Sequence, residues 1–254
     1  MVTATVAICT HDRAELLPGV IEPAIAQCRA YRAEILVVDN ASTDDTPAVL
    51  ARMRDAAPAL RVVREPRLGL SCARNRALAE VDTDIVAFLD DDAVPRLGWL
   101  EALLRAYGAQ TVACAGGPIV SQFFSPPPPW LTQRFHPLLS AYDLGPHARR
   151  LRDCPSWEYP FGANISFRVS TARALGGFST RFGLRGALQL AHEETDLCLR
   201  IDRAGGEIHY VPDAVVDHRI LPERLTPPFL LARCRQRGTS AAYFELRNRG
   251  LLGA

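Results

Sequence analysis

Three consecutive carboxylates, Asp90-Asp91-Asp92, close an apolar run at residues 85–89. Like charges this close repel, and at the end of a strand covered on both faces they are poorly solvated. A hard divalent cation with oxygen ligands relieves both costs. An acidic turn capping the next helix is the plain alternative, since Asp favours such positions. Two further polar clusters have the same form. Thr10-His11-Asp12-Arg13 ends the apolar run 2–9, and Asp39-Asn40 ends 34–38. Later in the chain, His192-Glu193-Glu194 opens a helical pattern, and His218 follows a short strand pattern at 214–217.

The elements that must position these groups show in the hydrophobic pattern. Strand patterns at 2–9, 34–38, 60–63 and 85–89 alternate with helical ones, the first carrying Leu16, Leu17, Val20, Ile21, Ala24, Ile25 and Cys28. This alternation predicts an α/β fold, a mostly parallel central sheet with helices on both faces. Ligands of such sheets sit beyond the carboxyl ends of the strands, where Thr10–Arg13, Asp39-Asn40 and the acidic triplet all fall. Three polar clusters on one rim favour a binding site over three independent turns. Pro95 is expected to break the chain before a helix beginning near Arg96. Further strands are expected at 111–115, 119–124, 207–211 and 214–217, the last two meeting at Pro212-Asp213.

The four prolines 126–129 exclude helix or central strand and make a stiff connector. Residues 121–160 therefore read as a long functional loop or excursion, with Trp130 and Trp157 as contact surfaces or as anchors to the core. A second loop carries Gly183 and Gly186. A last helix, from Thr226-Pro227-Pro228, holds Arg233, Arg235, Arg237, Arg247 and Arg249. It lies on an anionic membrane or packs, solvated, on the domain.

A chain of 254 residues is one large domain or two small ones. Its net charge of +1 gives no global field for nucleic acid. All 29 basic residues are Arg, which excludes a Schiff-base lysine and leaves Arg to meet any phosphate. The seven cysteines form no CxxC pair or zinc spacing and read as reduced, buried residues of a cytoplasmic protein. No stretch is apolar for long enough to span a membrane.

Seven landmarks occur in order: Val6-Ala7-Ile8-Cys9-Thr10-His11-Asp12-Arg13, Val37-Val38-Asp39-Asn40-Ala41-Ser42-Thr43-Asp44, residues 69–77 with Ala73-Arg74-Asn75, Phe88-Leu89-Asp90-Asp91-Asp92, Gly162-Ala163-Asn164 with Gly176-Gly177-Phe178, Glu193-Glu194-Thr195-Asp196-Leu197-Cys198, and Val215-Val216-Asp217-His218. In this register the chain resembles the family 2 glycosyltransferases, inverting enzymes with the GT-A nucleotide-sugar fold, over nearly all of 2–218. The resemblance implies one catalytic domain at 1–220, with a nucleotide-binding half (1–118) and an acceptor-binding half (119–220), followed by a helical extension (221–254).

It also implies a reaction: a hydroxyl of a glycan, lipid-linked or small-molecule acceptor displaces the diphosphate of a nucleotide sugar, a UDP-sugar being the first expectation. Asp92 would ligate Mn2+ or Mg2+, joined by His218. Asp90 and Asp91 would serve the ribose and the metal's water shell. Thr10, His11, Arg13 and Asp39 would line the nucleotide pocket, Asp39 against the base edge. Arg74 would meet base or phosphate, or pair with Asp39. Asn164, Trp157 and Trp130 fall on the acceptor side.

The family usually has Gly-Glu-Asp where this chain has His192-Glu193-Glu194, so two glutamates compete for the role of general base: Glu194 by register, Glu193 in reserve. His11 replaces a commoner aromatic. A nucleotidyltransferase would need a Gly-rich phosphate loop and usually a lysine, and neither is present. A non-catalytic nucleotide-sugar-binding protein, with inert glutamates, is the remaining rival.

Overall fold

The computed structural model of the chain describes residues 2–185 and 188–248. Gly186 of the expected loop and Arg249 of the basic helix lie outside the described residues. The first half alternates as the periodicity predicts: β1 (Ala4–Thr10), α1 (Pro18–Tyr31), β2 (Glu34–Asp39), α2 (Thr46–Ala56), β3 (Leu60–Arg64), α3 (Leu70–Glu80) and β4 (Ile85–Asp90). Every residue of β1 is buried, so both its faces are covered and it needs no polar alternation. Pro18 opens α1, where its missing N–H costs no hydrogen bond.

Next come β5 (Ala93–Pro95), α4 (Trp99–Ala106), β6 (Val112–Gly116), β7 (Ile119–Phe123), β8 (Arg149–Leu151), β9 (Asn164–Arg168) and α5 (Val169–Ala174). The chain continues through β10 (Gly183–Arg185), β11 (Leu188–Leu190), α6 (Glu193–Arg203), β12 (Glu207–Tyr210), β13 (Val216–Ile220) and α7 (Pro227–Asn248).

The central sheet runs β3-β2-β1-β4-β9-β6-β12-β8. The parallel register pairs Thr10 with Asp39 and Cys9 with Asp90, so the three polar clusters do end on one rim. A smaller sheet, β5-β13-β7, stands beside it and sets His218 opposite Ala93. The Arg219 N–H donates to the Asp92 carbonyl at 2.8 Å, which fixes the approach of β13 to the acidic triplet.

Three expectations need correction. Pro95 lies in β5, paired with Val216, and the helix begins only at Trp99, after Gly98 at a φ of 82°. Residues 121–160 are not a bare loop, because β8 pairs with β12 at the sheet edge and two 3-10 turns (Gln133–Leu139 and Ser156–Glu158) interrupt them. The strands around Pro212-Asp213 do not meet there: β12 belongs to the large sheet and β13 to the small one. All seven cysteines are free, but Cys234 is exposed and Cys154 half-buried.

Asn164, expected on the acceptor side, is fully buried. Its Oδ1 accepts from Trp99 Nε1 at 2.8 Å, and its Nδ2 donates to the carbonyls of Pro118 and Ala214 at 3.0 and 2.7 Å. The side chain clips α4 and both sheets together instead of facing a ligand. Asn164→Ala leaves the Trp99 donor and the Ala214 acceptor without partners, while the Pro118 carbonyl keeps the Val216 N–H, at a cost of about 3 kcal/mol. The expected fall in Tm is on the order of 10 °C, with nucleotide affinity at low temperature unchanged; a calorimetric melt and a titration check both.

Candidate active site

The rim of β1, β2 and β4 walls a cavity of about 440 Å³, a size suited to a nucleotide ligand. Thr10, His11, Arg13, Asp90, Asp91 and Asp92 all line it. Thr10 Oγ1 donates to Asp91 Oδ2 at 2.8 Å, and Arg13 Nε stands 3.9 Å from the other Asp91 oxygen. Burial, and then the Asp92 charge, push the Asp91 carboxyl up to about 7. His11 Nδ1 donates to the Asn40 carbonyl at 2.9 Å. Asp39 itself is buried, accepts from the Ser42 N–H at 3.0 Å, and does not line the cavity; Asn40 lines it instead.

Asp92 and His218 meet, with Nε2 3.0 Å from Asp92 Oδ1. His218 Nδ1 lies 3.0 Å from the Leu139 carbonyl, an acceptor only, so Nδ1 carries the proton. Nε2 of a neutral imidazole then turns a lone pair toward a carboxylate. That arrangement needs a proton or a cation between the two, and it fits a shared divalent ion with the Leu139 carbonyl orienting the ring. Without an ion a proton fills that place: burial raises the Asp92 carboxyl, but the hydrogen bond and charge this gives His218, together with Arg224, outweigh it and hold Asp92 well below the usual carboxylate range. Among the described residues no three His, Cys, Asp or Glu side chains converge on one point. Of the residues expected around a metal (Asp92, His218 and, at its water shell, Asp90), Asp92 and His218 stand together and Asp90 turns to Arg74.

Arg74 is a buried tie between β4 and α6. Its Nη2 donates to Asp90 Oδ1 at 3.2 Å and its Nη1 to Glu193 Oε1 at 2.7 Å. The guanidinium lies against the rings of Phe88 and Phe178, 5.9 and 5.6 Å from their centroids. A Cβ at Gly162 would come within 2.1 Å of Nη2, which is why that position is glycine. Next to it, Asn75 accepts from the Phe178 N–H and donates to the Phe178 carbonyl, both at 2.8 Å. Arg74 does not pair with Asp39, one of the two expectations for it; it lines the second lobe with its side chain only 2% exposed. Glu193 is thereby engaged, its carboxyl pushed up to about 8 by burial and then by Glu194, against the pull of Arg74.

Glu194 is different. Its Oε2 has no hydrogen-bond partner. It lines a second lobe of about 180 Å³ together with Trp157, Phe161, His192, Arg233 and Arg237. Asp90 and Arg233 line both lobes, so the two form one cleft with Asp92 in one arm and Glu194 in the other. His192, which precedes the glutamates, holds a φ of 87°, the left-handed region that favours glycine. Trp157 is 60% exposed at the edge of the second lobe, whereas Trp130 packs against Phe135 and lines neither lobe.

Sequence reasoning passed over Arg224, whose Nη2 donates to Asp92 Oδ2 at 2.8 Å. It also read the arginines of α7 as one surface, whereas Arg233 and Arg237 turn into the cleft. No helix among the described residues is long and apolar enough to cross a membrane.

The model of the family described as "Glycosyl transferase family 2" matches residues 5–176. The chain is 26% identical over 249 residues to the glucosyl-dolichyl phosphate glucuronosyltransferase of Haloferax volcanii, covering 95% of this chain and 77% of that protein. Among solved structures it resembles a mannosyltransferase from Pyrobaculum calidifontis in complex with GDP-Man and Mn2+. There the TM-score is 0.61 at 23% identity, over 85% of this chain and 56% of that one. It also resembles GalNAc-T7 with UDP, GalNAc and Mn2+, at a TM-score of 0.67 and 17% identity, over 87% and 44% of the two chains. The chain thus spans about half the length of these two structures, and the likeness to them is one of fold.

Proposed function

The chain belongs to glycosyl transferase family 2 and is a glycosyltransferase of the GT-A fold, and on that basis we propose that it transfers a sugar from a nucleoside diphosphate to an acceptor hydroxyl in one inverting displacement. The observation that carries this reading is the continuous cleft, with the Asp92–His218 pair in one arm and an unpartnered carboxylate oxygen of Glu194 in the other.

The larger arm takes the donor, with a UDP-sugar as the first candidate. Thr10, His11 and Arg13 border the nucleotide, and Arg13 and Arg224 are the cations nearest the diphosphate. Asp92 and His218 would hold Mn2+ or Mg2+, whose chemistry when bound is to offset charge on the departing diphosphate. Two protein ligands suit an ion that completes its shell with phosphate and water oxygens.

In the smaller arm the acceptor hydroxyl lies against Glu194 Oε2, and the exposed ring of Trp157 offers a face to its sugar. The acceptor oxygen bonds to the anomeric carbon from the side opposite the diphosphate as the carbon–phosphate oxygen bond breaks. The hydroxyl proton passes to Glu194 Oε2, and the bonding electron pair leaves with the diphosphate. Glu193 stays with Arg74 and keeps the start of α6 in place.

Asp92→Ala tests the donor arm. The expected result is loss of the metal-dependent part of UDP binding in calorimetry, with the fold retained. Unchanged affinity in the presence of Mn2+ removes Asp92 from the role.

A further inference from the structure

Arg233 and Arg237 stand one turn apart on α7, and both border the lobe that holds Glu194. Neither forms an ion pair with a carboxylate among the described residues. Arg233 Nη1 donates to Gln236 Oε1 at 2.7 Å. Arg237 donates to the Pro137 carbonyl and lies over the Phe161 ring, 5.7 Å from its centroid. Every other cation of the cleft has an acidic partner: Arg13 has Asp91, Arg74 has Asp90 and Glu193, and Arg224 has Asp92.

Two part-buried guanidiniums side by side are costly to keep, since each loses water and repels the other. That cost shows in both groups. Burial lowers each below the ordinary arginine value, and for Arg233 the neighbouring Arg237 and Arg224 lower it further; the charge of Glu194 across the lobe, joined for Arg233 by Asp90, offsets this only in part. Arginines retained in such a place are characteristically recognition groups for planar or tetrahedral oxyanions. The donor diphosphate accounts for Arg233 at most, because Arg237 borders only the acceptor lobe.

We propose that Arg233 and Arg237 form an oxyanion subsite for the acceptor, so that the sugar accepted here carries a phosphate group close to the hydroxyl attacked. Glu194 borders the same small lobe, so the charged group and the reacting hydroxyl belong to one sugar or to adjacent positions. A soluble sugar phosphate and the phosphate head of a lipid-linked sugar share this chemistry. The inference rests on the glycosyl-transfer reading, because it needs the nucleotide arm to be filled by the donor.

The test is a calorimetric titration of the full chain saturated with UDP and Mg2+, using inorganic phosphate, glucose 1-phosphate, farnesyl phosphate and methyl glucoside as probes. The expected result is that the phosphates bind and methyl glucoside does not match them. Arg237→Gln and Arg233→Gln should each weaken phosphate binding about tenfold or more, as loss of a charge-assisted contact does. Arg237→Lys should recover part of the loss, and Arg235→Gln, exposed on the same helix, should change nothing. Stronger binding of glucose 1-phosphate points to a soluble acceptor and of farnesyl phosphate to a lipid head, either in support of the subsite. Phosphate affinity that survives both Gln variants, or no phosphate binding while UDP still binds, overturns the subsite and leaves the transfer reading intact. Absence of binding by UDP and by GDP in its place overturns the transfer reading itself.

Discussion

Replacing Glu194 by Gln is expected to lower kcat by about 10²–10⁴-fold while leaving UDP affinity and Tm close to the parent values. The amide keeps the size of the side chain but cannot accept the hydroxyl proton. Its position explains the separation of effects. Glu194 Oε2 has no hydrogen-bond partner in the fold, so the change to an amide breaks no hydrogen bond at that oxygen. Glu193 is the control, because its carboxylate is bonded to Arg74 at 2.7 Å. Glu193→Gln should therefore appear first in a melting curve. The measurement is steady-state transfer beside a nucleotide titration for both variants. Near-normal turnover in Glu194→Gln together with an inactive, normally stable Glu193→Gln would exchange the two roles.

The second large effect is one of stability. Arg74→Leu removes the cation between Asp90 and Glu193, both in the cleft wall, and leaves buried carboxylate charge uncompensated. Breaking a buried pair from one side costs about 3–5 kcal/mol. For a chain of this size that is a fall in Tm on the order of 10 °C. The lost packing against Phe88 and Phe178 adds to it. Chemical denaturation of the parent, Arg74→Leu and the double variant Arg74→Leu/Glu193→Leu checks the mechanism. Removing both charges should recover part of the loss, whereas equal destabilisation of the two variants would mean that packing alone matters.

Much of this arrangement was legible before any coordinates. Parallel strands buried on both faces leave an uninterrupted apolar run that stops at its first polar residue, so the rim of Thr10, Asp39 and Asp90 could be read directly. His218 was found by its place in the motif register, and β13 does deliver it to Asp92. The partners of Arg74 were not legible: Glu193 lies far along the chain, and no local periodicity encodes a contact of that range. Asn164 misled because a short polar motif looks alike whether it faces a ligand or fills buried hydrogen bonds. Arg224, Arg233 and Arg237 escaped for a related reason. Arg224 ends a short 3-10 turn just before α7, α7 itself is basic on several faces, and only the docking of this segment decides which arginines enter the cleft. Ser240 Oγ accepts from the Ala191 N–H at 3.0 Å, and Phe244 stacks on His192, which ties α7 to the segment carrying the glutamates.

The central claim is that this cleft grips a nucleoside diphosphate with the help of a cation held by Asp92 and His218. Thermal unfolding of the full chain with UDP alone, Mn2+ alone, and both together tests it most directly, with GDP run beside UDP. The expected result is a rise in Tm that requires both components, corresponding to about 2.7 kcal/mol at a hundredfold excess over Kd, and that is absent from Asp92→Ala. Unchanged melting with every nucleoside diphosphate, whether or not Mn2+ is added, would contradict it.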